Sequence, residues 1–338
     1  MIAIGIAGYG YWGPNLARAV AASGCARVEM IADRMEPARG RAALHHPAAR
    51  LTDDIYAMIA DPAVDAVMIA TPVSTHFDMA MAALRAGKHV LVEKPMADTP
   101  ARAAQLVDEA ARRNLVLMVD HTFVYTGAVQ KIAALIGNGD LGDLYYYDST
   151  RVNLGIFQRD VDVIWDLAVH DFAILDRLMP SQPVAVSASA ATCIAGSPAN
   201  MAHLSVYYDD GAMAYLNVNW LSPVKIRQTV IGGSRQMVIY DDMQTSEKVK
   251  IYDSGATAGT DPYEPMVSYR MGDMHAPALS TKEALLTEVQ EFTRCVEEKA
   301  TPLTDGISGL RVVEILAAAT LSTQSRGFPV DLVQKKVA

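Results

Sequence analysis

The chain has 338 residues, 51% hydrophobic and 20% charged, enough for two domains because single cores stop growing at roughly 250 to 300 residues. Its formal charge of −9 argues against a nucleic-acid partner, which needs a concentrated basic face, and no Lys/Arg cluster overrides that. Three far-separated cysteines (Cys25, Cys193, Cys295) form no CxxC or His/Cys pairing, which argues against a disulfide framework or a zinc site and fits a reducing cytoplasm.

The apolar start, Met1 to Gly8, lacks a basic flank and runs straight into a glycine motif, so it reads as a first strand over residues 2–7 rather than a signal peptide. No window approaches the roughly 20 uninterrupted apolar residues of a membrane span. The expectation is a cytoplasmic protein with no membrane partner.

Helix 14–23, strand 28–32, strand 65–70, helix 75–86, strand 89–92, helix 100–113 and strand 116–119 follow in order. Strands separated by helices of about ten residues predict βαβ units around a parallel sheet. Past residue 120 the rhythm changes to successive strands: 144–153, 184–192, 203–208, 212–221, 227–232, 236–240 and 248–252. Within 212–220, Ala212, Ala214, Leu216, Val218 and Trp220 alternate with Met213, Tyr215, Asn217 and Asn219, predicting an antiparallel sheet with one face on its core. One helix, 161–178, interrupts the sheet; a Gly/Pro-rich loop, 253–280, and helices 281–299 and 306–325 follow it. The expected class is α/β, with an N-terminal Rossmann domain over 1–120. An α+β domain carrying a large, mostly antiparallel sheet over 121–338 would bind substrate and form oligomers.

Gly8-Tyr9-Gly10-Tyr11-Trp12-Gly13 is a GxGxxG that follows a strand, opens a helix at Pro14 and precedes Asp33 by 20 residues. In this context Gly8 permits a tight turn, Gly10 admits a pyrophosphate, and Gly13 lets helix and strand pack closely. The pyrophosphate meets free N–H groups at the helix start, with Tyr11 and Trp12 beside it. Asp33 suits the adenosine ribose hydroxyls and favours NAD, whereas Arg34 is the residue type that holds a 2′-phosphate, leaving NADP open. A structural glycine turn beside a solvated acid, or FAD, is the alternative reading.

Glu93-Lys94-Pro95 closes an apolar strand at the sheet edge where ligands of open α/β folds sit. Lys94 there can hydrogen-bond a reacting oxygen, and Glu93 suits the nicotinamide ribose; a solvated lysine is the blander possibility. Thr71-Pro72 closes a neighbouring strand, and Thr71, Pro72 and His76 are candidate cofactor contacts. Asp166 and His170 lie four apart on a predicted helix and so share a face, which suits a proton relay. An ordinary helical ion pair fits the same spacing. Candidate substrate contacts are His121, Tyr125, Arg151, Asn153 and residues 263–270, with Arg151 suited to a phosphate or carboxylate. No metal site is expected.

Together the GxGxxG, the Thr-Pro-x-x-x-His stretch, the Glu-Lys-Pro turn and the Asp-x-x-x-His helix resemble the Gfo/Idh/MocA oxidoreductases over nearly the whole chain. The resemblance implies that Lys94 is catalytic, that His170 donates or accepts a proton, and that Asp166 helps hold substrate. It also implies a homodimer or homotetramer, with the Tyr/Asn face of the second sheet as a subunit interface. Family members commonly read Asp-x-Gly-x-His-x-x-Asp, whereas Ala168 replaces the glycine here and the following acid is Asp171. With GYGYWGPNL at the start and Tyr269-Arg270-Met271-Gly272-Asp273 late in the chain, this version looks like the branch acting at C3 of UDP- or TDP-linked hexoses. A dehydrogenase of a free cyclitol or monosaccharide is the alternative, and a non-catalytic dinucleotide sensor a third.

Overall fold

Uninterrupted apolar runs such as Ala66–Ile69, buried at every residue, form strands covered on both faces at the centre of a six-stranded first sheet, whose edge strand over 50–52 has no buried residue. The computed structural model describes residues 1–155, 157, 161–258 and 266–332. The chain packs as two compact units, Met1–Thr126 with Lys282–Glu314, and Gly127–Thr281 with Ile315–Ala338. The sequence placed a single boundary at 120/121. The observed division lies six residues later, and residues 282–314 return to the first unit.

In the first unit the elements run β1 (Ile2–Ala7), α1 (Gly13–Ala22), β2 (Ala26–Ala32), α2 (Glu36–His45), β3 (Arg50–Thr52) and α3 (Ile55–Ala60). They continue as β4 (Ala66–Ile69), α4 (Val73–Arg85), β5 (His89–Glu93), α5 (Pro100–Arg113) and β6 (Leu117–Asp120), then a 3-10 turn at Thr122–Tyr125. The strands pair in parallel in the order β3-β2-β1-β4-β5-β6, the doubly wound arrangement that gathers the carboxyl ends of β1, β2, β4 and β5 at one edge.

The second unit holds α6 (Gly127–Gly137), β7 (Leu144–Leu154), α7 (Val169–Leu178), β8 (Pro183–Ala191), β9 (Met201–Tyr208), β10 (Met213–Asn219) and β11 (Leu221–Gly233). β12 (Met237–Asp241), β13 (Val249–Ala258) and β14 (Val267–His275) complete one side of its sheet. α8 (Ala284–Glu298) returns to the first unit, α9 (Gly306–Gln324) runs from the first into the second, and β15 (Val330–Asp331) closes the chain. The nine strands order as β14-β13-β12-β11-β7-β10-β9-β8-β15, antiparallel except where β10 pairs with β7. The alternation read in the sequence holds: Ala212, Ala214, Leu216, Val218 and Trp220 are all buried.

Two expectations give way. The stretch 253–280, expected as a loop, carries the end of β13 and all of β14, whose nine residues include eight exposed ones and so show no alternation. The helix expected over 161–178 begins instead with a π turn, Ile164–Ala168, before α7. Among the described residues α9 is long and apolar enough by length and composition to cross a membrane, although more than half of its apolar window is buried within the protein.

Candidate functional site

The first unit concentrates its polar groups at the carboxyl edge of its sheet. After β1 the chain turns at Gly8, whose φ of +92° an L side chain rarely adopts; a Cβ there would stand 2.6 Å from the Ala70 carbonyl oxygen. A Cβ on Gly13 would overlap the Gly8 carbonyl oxygen, so helix and strand meet backbone to backbone. Gly10 differs, because its Cβ would meet no protein atom within 4 Å. α1 opens beside it with no side-chain cap on its N-terminal amides.

Asp33 ends β2 and braces this loop. Its Oδ2 accepts from the Tyr9 amide at 2.7 Å and its Oδ1 from the Met35 amide at 2.8 Å. Arg34 is exposed, and its carbonyl takes the Arg39 guanidinium at 2.9 Å. Tyr11 is exposed. Trp12 turns inward, its indole Nε1 donating to Asp120 Oδ2 at 2.7 Å.

Lys94 follows β5 half-buried, joined to Pro95 by a cis bond. Glu93 Oε2 accepts from the Lys94 amide at 3.1 Å, while its Oε1 is buried with no hydrogen-bond partner among the described residues. Burial and neighbouring Asp120 push the Glu93 carboxyl well above the ordinary glutamate range. An open glycine cradle, uncapped amides, an aspartate on the loop and an orphaned carboxyl oxygen at the sheet edge fit a bound dinucleotide.

His76, expected as a cofactor contact, is buried between two loops. Its Nδ1 lies 2.9 Å from the Pro95 carbonyl and its Nε2 2.8 Å from the Thr71 carbonyl, so it braces the Thr71-Pro72 and Glu93–Pro95 turns against each other. Thr71 accepts the Thr75 hydroxyl at 2.7 Å. His121 is buried beyond β6, and Tyr125, offered as a substrate contact, is also buried, its phenol bonded to Thr304 Oγ1 at 3.1 Å. A separate cleft of about 240 Å³, lined by His89, Asn114 and Lys299 among others, lies at the opposite, amino ends of β5 and β6.

In the second unit Asp162 Oδ1 accepts the Ile164 and Trp165 amides and starts the π turn. Trp165 Nε1 donates to Thr320 on α9 at 2.9 Å and fixes the turn. Asp166 lies within it, and Trp220 Nε1 donates to its Oδ2 at 3.1 Å. His170, half-buried, opens α7. Asp166 and His170 are therefore separated by the junction of a π turn and an α-helix, not by the continuous α spacing from which a shared face was expected; such turns recur at functional sites.

Asp171, the next residue, is fully buried. Arg151, expected to reach a substrate phosphate or carboxylate, is instead buried with its Nε on Asp171 Oδ2 at 2.6 Å. Asn153 is half-buried near the end of β7. Of residues 263–270, 263–265 lie outside the described residues, and Arg270 sits exposed on β14 with Asp253 at 2.9 Å. Sequence reasoning missed Asp120, and with it Glu288 of α8, which is fully buried; neither falls in a motif.

A doubly wound sheet with a glycine cradle, joined to a large mostly antiparallel sheet, defines a two-domain dinucleotide-dependent oxidoreductase. The chain belongs to the Gfo/Idh/MocA family: residues 2–121 match the model of the oxidoreductase family with an NAD-binding Rossmann fold, and residues 129–239 that of the GFO/IDH/MocA C-terminal domain. It is 31% identical over 259 residues to UDP-N-acetylglucosamine 3-dehydrogenase of Acidithiobacillus ferrooxidans, covering 76% of this chain and 77% of that one. A structure of that enzyme superposes with a TM-score of 0.80 at 26% identity, covering 96% and 98% of the two chains. The scyllo-inositol 2-dehydrogenase (NAD(+)) of Bacillus subtilis is 25% identical over 318 residues, 89% of this chain and 88% of that one. The protein is an NAD(P)-dependent dehydrogenase or reductase that binds NAD(H) and acts on a small molecule.

Proposed function

We propose that the protein interconverts a secondary hydroxyl and a ketone at C3 of a nucleotide-linked hexose, with NAD as its cofactor. The observation that carries this reading is the 31% identity, over three quarters of both chains, to an enzyme acting at position 3 of a UDP-linked sugar. The Asp33 carboxylate favours NAD, since a 2′-phosphate beside it would be repelled.

In this reading Gly10 and the α1 amides hold the pyrophosphate, Asp33 the adenosine ribose and Glu93 the nicotinamide ribose, with Tyr11, Thr71 and Pro72 along the rim. When bound, the nicotinamide takes or gives the hydride. Lys94 donates a hydrogen bond to the reacting oxygen and polarises it. His170 takes the hydroxyl proton in oxidation and returns it in reduction, while Asp166, oriented by Trp220, holds a substrate hydroxyl. His121 and Asn153 complete the substrate contacts, and the 121–338 segment carries substrate specificity and subunit contacts.

Lys94→Ala and His170→Ala test the assignment. Each is expected to keep NADH affinity within about twofold and to lower kcat by roughly 10²–10⁴. Near-normal turnover in both variants would remove these residues from the mechanism.

A further inference from the structure

Three carboxyl groups from three elements meet inside the first unit. β5 and β6 pair in register so that Glu93 stands beside Asp120. α8 brings Glu288 to the same place, fully buried. Asp120 is spoken for: its Oδ2 holds the Trp12 indole at 2.7 Å and its Oδ1 the Thr122 hydroxyl at 2.5 Å. Neither oxygen of Glu288 makes a hydrogen bond of good geometry to a described residue, and the Thr122 hydroxyl beside it donates to Asp120 Oδ1. The group that Glu288 faces is the Asp120 carboxyl itself.

Two ionised carboxylates in contact without water repel strongly and leave buried oxygens unsatisfied. One proton between them removes both penalties. We propose that Glu288 is held as a neutral acid whose O–H donates to Asp120, making it a positioning residue for the dinucleotide loop that acts through Asp120 on Trp12. The connection is short: α8 carboxyl, β6 carboxyl, indole, glycine cradle. Loss of the proton sets the Glu288 and Asp120 carboxylates against each other under Trp12, with Glu93 adjacent, and the loop loses its anchor.

The surroundings agree. Burial first, then Asp120 and Glu93, push the Glu288 carboxyl well above the ordinary range. From β5 the facing group is Glu93, whose own rise the following Lys94 offsets only in part. From the 3-10 turn they are Thr122 and Tyr125, whose phenol is pushed up by burial and then by Glu288. From α1 the charged residue is Arg18, which is taken by Glu283. On α8 itself Glu291 adds negative charge near Tyr125.

The test has a cofactor-free arm and a binding arm. Infrared spectra of the cofactor-free protein at neutral pH are expected to carry protonated-carboxyl carbonyl absorption, of which Glu288→Gln removes a distinct component and leaves that of Glu93. NADH affinity of the wild type is expected to fall about tenfold as pH is raised through the titration of the cluster, whereas Glu288→Gln, which keeps a donor for Asp120 but loses its titrating proton, retains only the shallower slope left by Glu93. Absence of a Glu288-dependent acid band, or equal pH slopes in the two proteins, overturns the proposal. The infrared arm needs neither cofactor nor substrate, so its failure is separate from failure of the sugar assignment.

Discussion

Arg151 and Asp171 form a buried ion pair within the second unit, Nε to Oδ2 at 2.6 Å, with side chains 7% and 1% exposed. Ser149 adds a hydroxyl to Asp171 Oδ1 at 2.7 Å and Tyr147 a phenol at 3.3 Å; burial and the Asp171 charge keep that phenol protonated. The pair pins α7 to β7 and so sets the stage for His170, one residue before Asp171. Removing only the cation leaves a buried carboxylate uncompensated. Arg151→Met is expected to cost about 3–5 kcal/mol, and adding Asp171→Leu to recover part of that. Urea unfolding of the two variants checks the order; equal stability of wild type and Arg151→Met would contradict a structural role for the pair.

Two of the loop glycines, Gly13 and Gly10, separate by task. Gly13→Ala drives a methyl into the Gly8 carbonyl and is expected to destabilise by about 1–3 kcal/mol. Gly10→Ala meets no protein atom, so its melting temperature is expected to stay at the wild-type value. In the proposed cofactor pose its methyl stands where the pyrophosphate would lie, and NADH binding is expected to weaken about tenfold or more. Melting curves and NADH titrations on both variants read the difference.

The two raised carboxyls also fix the direction of the pH response of folding. In the unfolded chain Glu93 and Glu288 ionise near about pH 4.3, while in the native protein both hold their protons to higher pH. Above the unfolded value the native state therefore binds more protons, and stability falls as pH rises toward the folded values. Unfolding free energies measured upward from about pH 5 are expected to decline, more shallowly in Glu288→Gln because its share is removed.

Much of the first unit was legible because chemistry and local pattern coincide there. A buried parallel strand is apolar throughout, and the glycine spacing with Asp33 follows from what a pyrophosphate needs. The segment holding α2, β3 and α3 was not legible: α2 buries only Ala38 and Ala42, and β3 is three residues long with none buried. β14 escaped for the same reason, having almost no buried residue to impose alternation. At the site, Lys94 and His170 stand out because a motif surrounds each. Glu288 with Asp120, and Arg151 with Asp171, are pairs made by tertiary packing, and no local spacing announces them. Arg151 was read as a ligand-binding cation because sequence does not show which way a strand residue faces when both faces are partly apolar.

The assignment of substrate class is tested most directly by kcat/KM with NAD+ and a panel of UDP- and dTDP-linked hexoses against myo- and scyllo-inositol, followed by absorbance of the reduced cofactor. A nucleotide-linked hexose is expected to exceed the inositols by about 10²-fold or more, because a site built to bind the nucleotide leaves polar groups unpaired with a free cyclitol. Inositol turnover equal to or faster than that of every nucleotide-linked hexose would contradict the account.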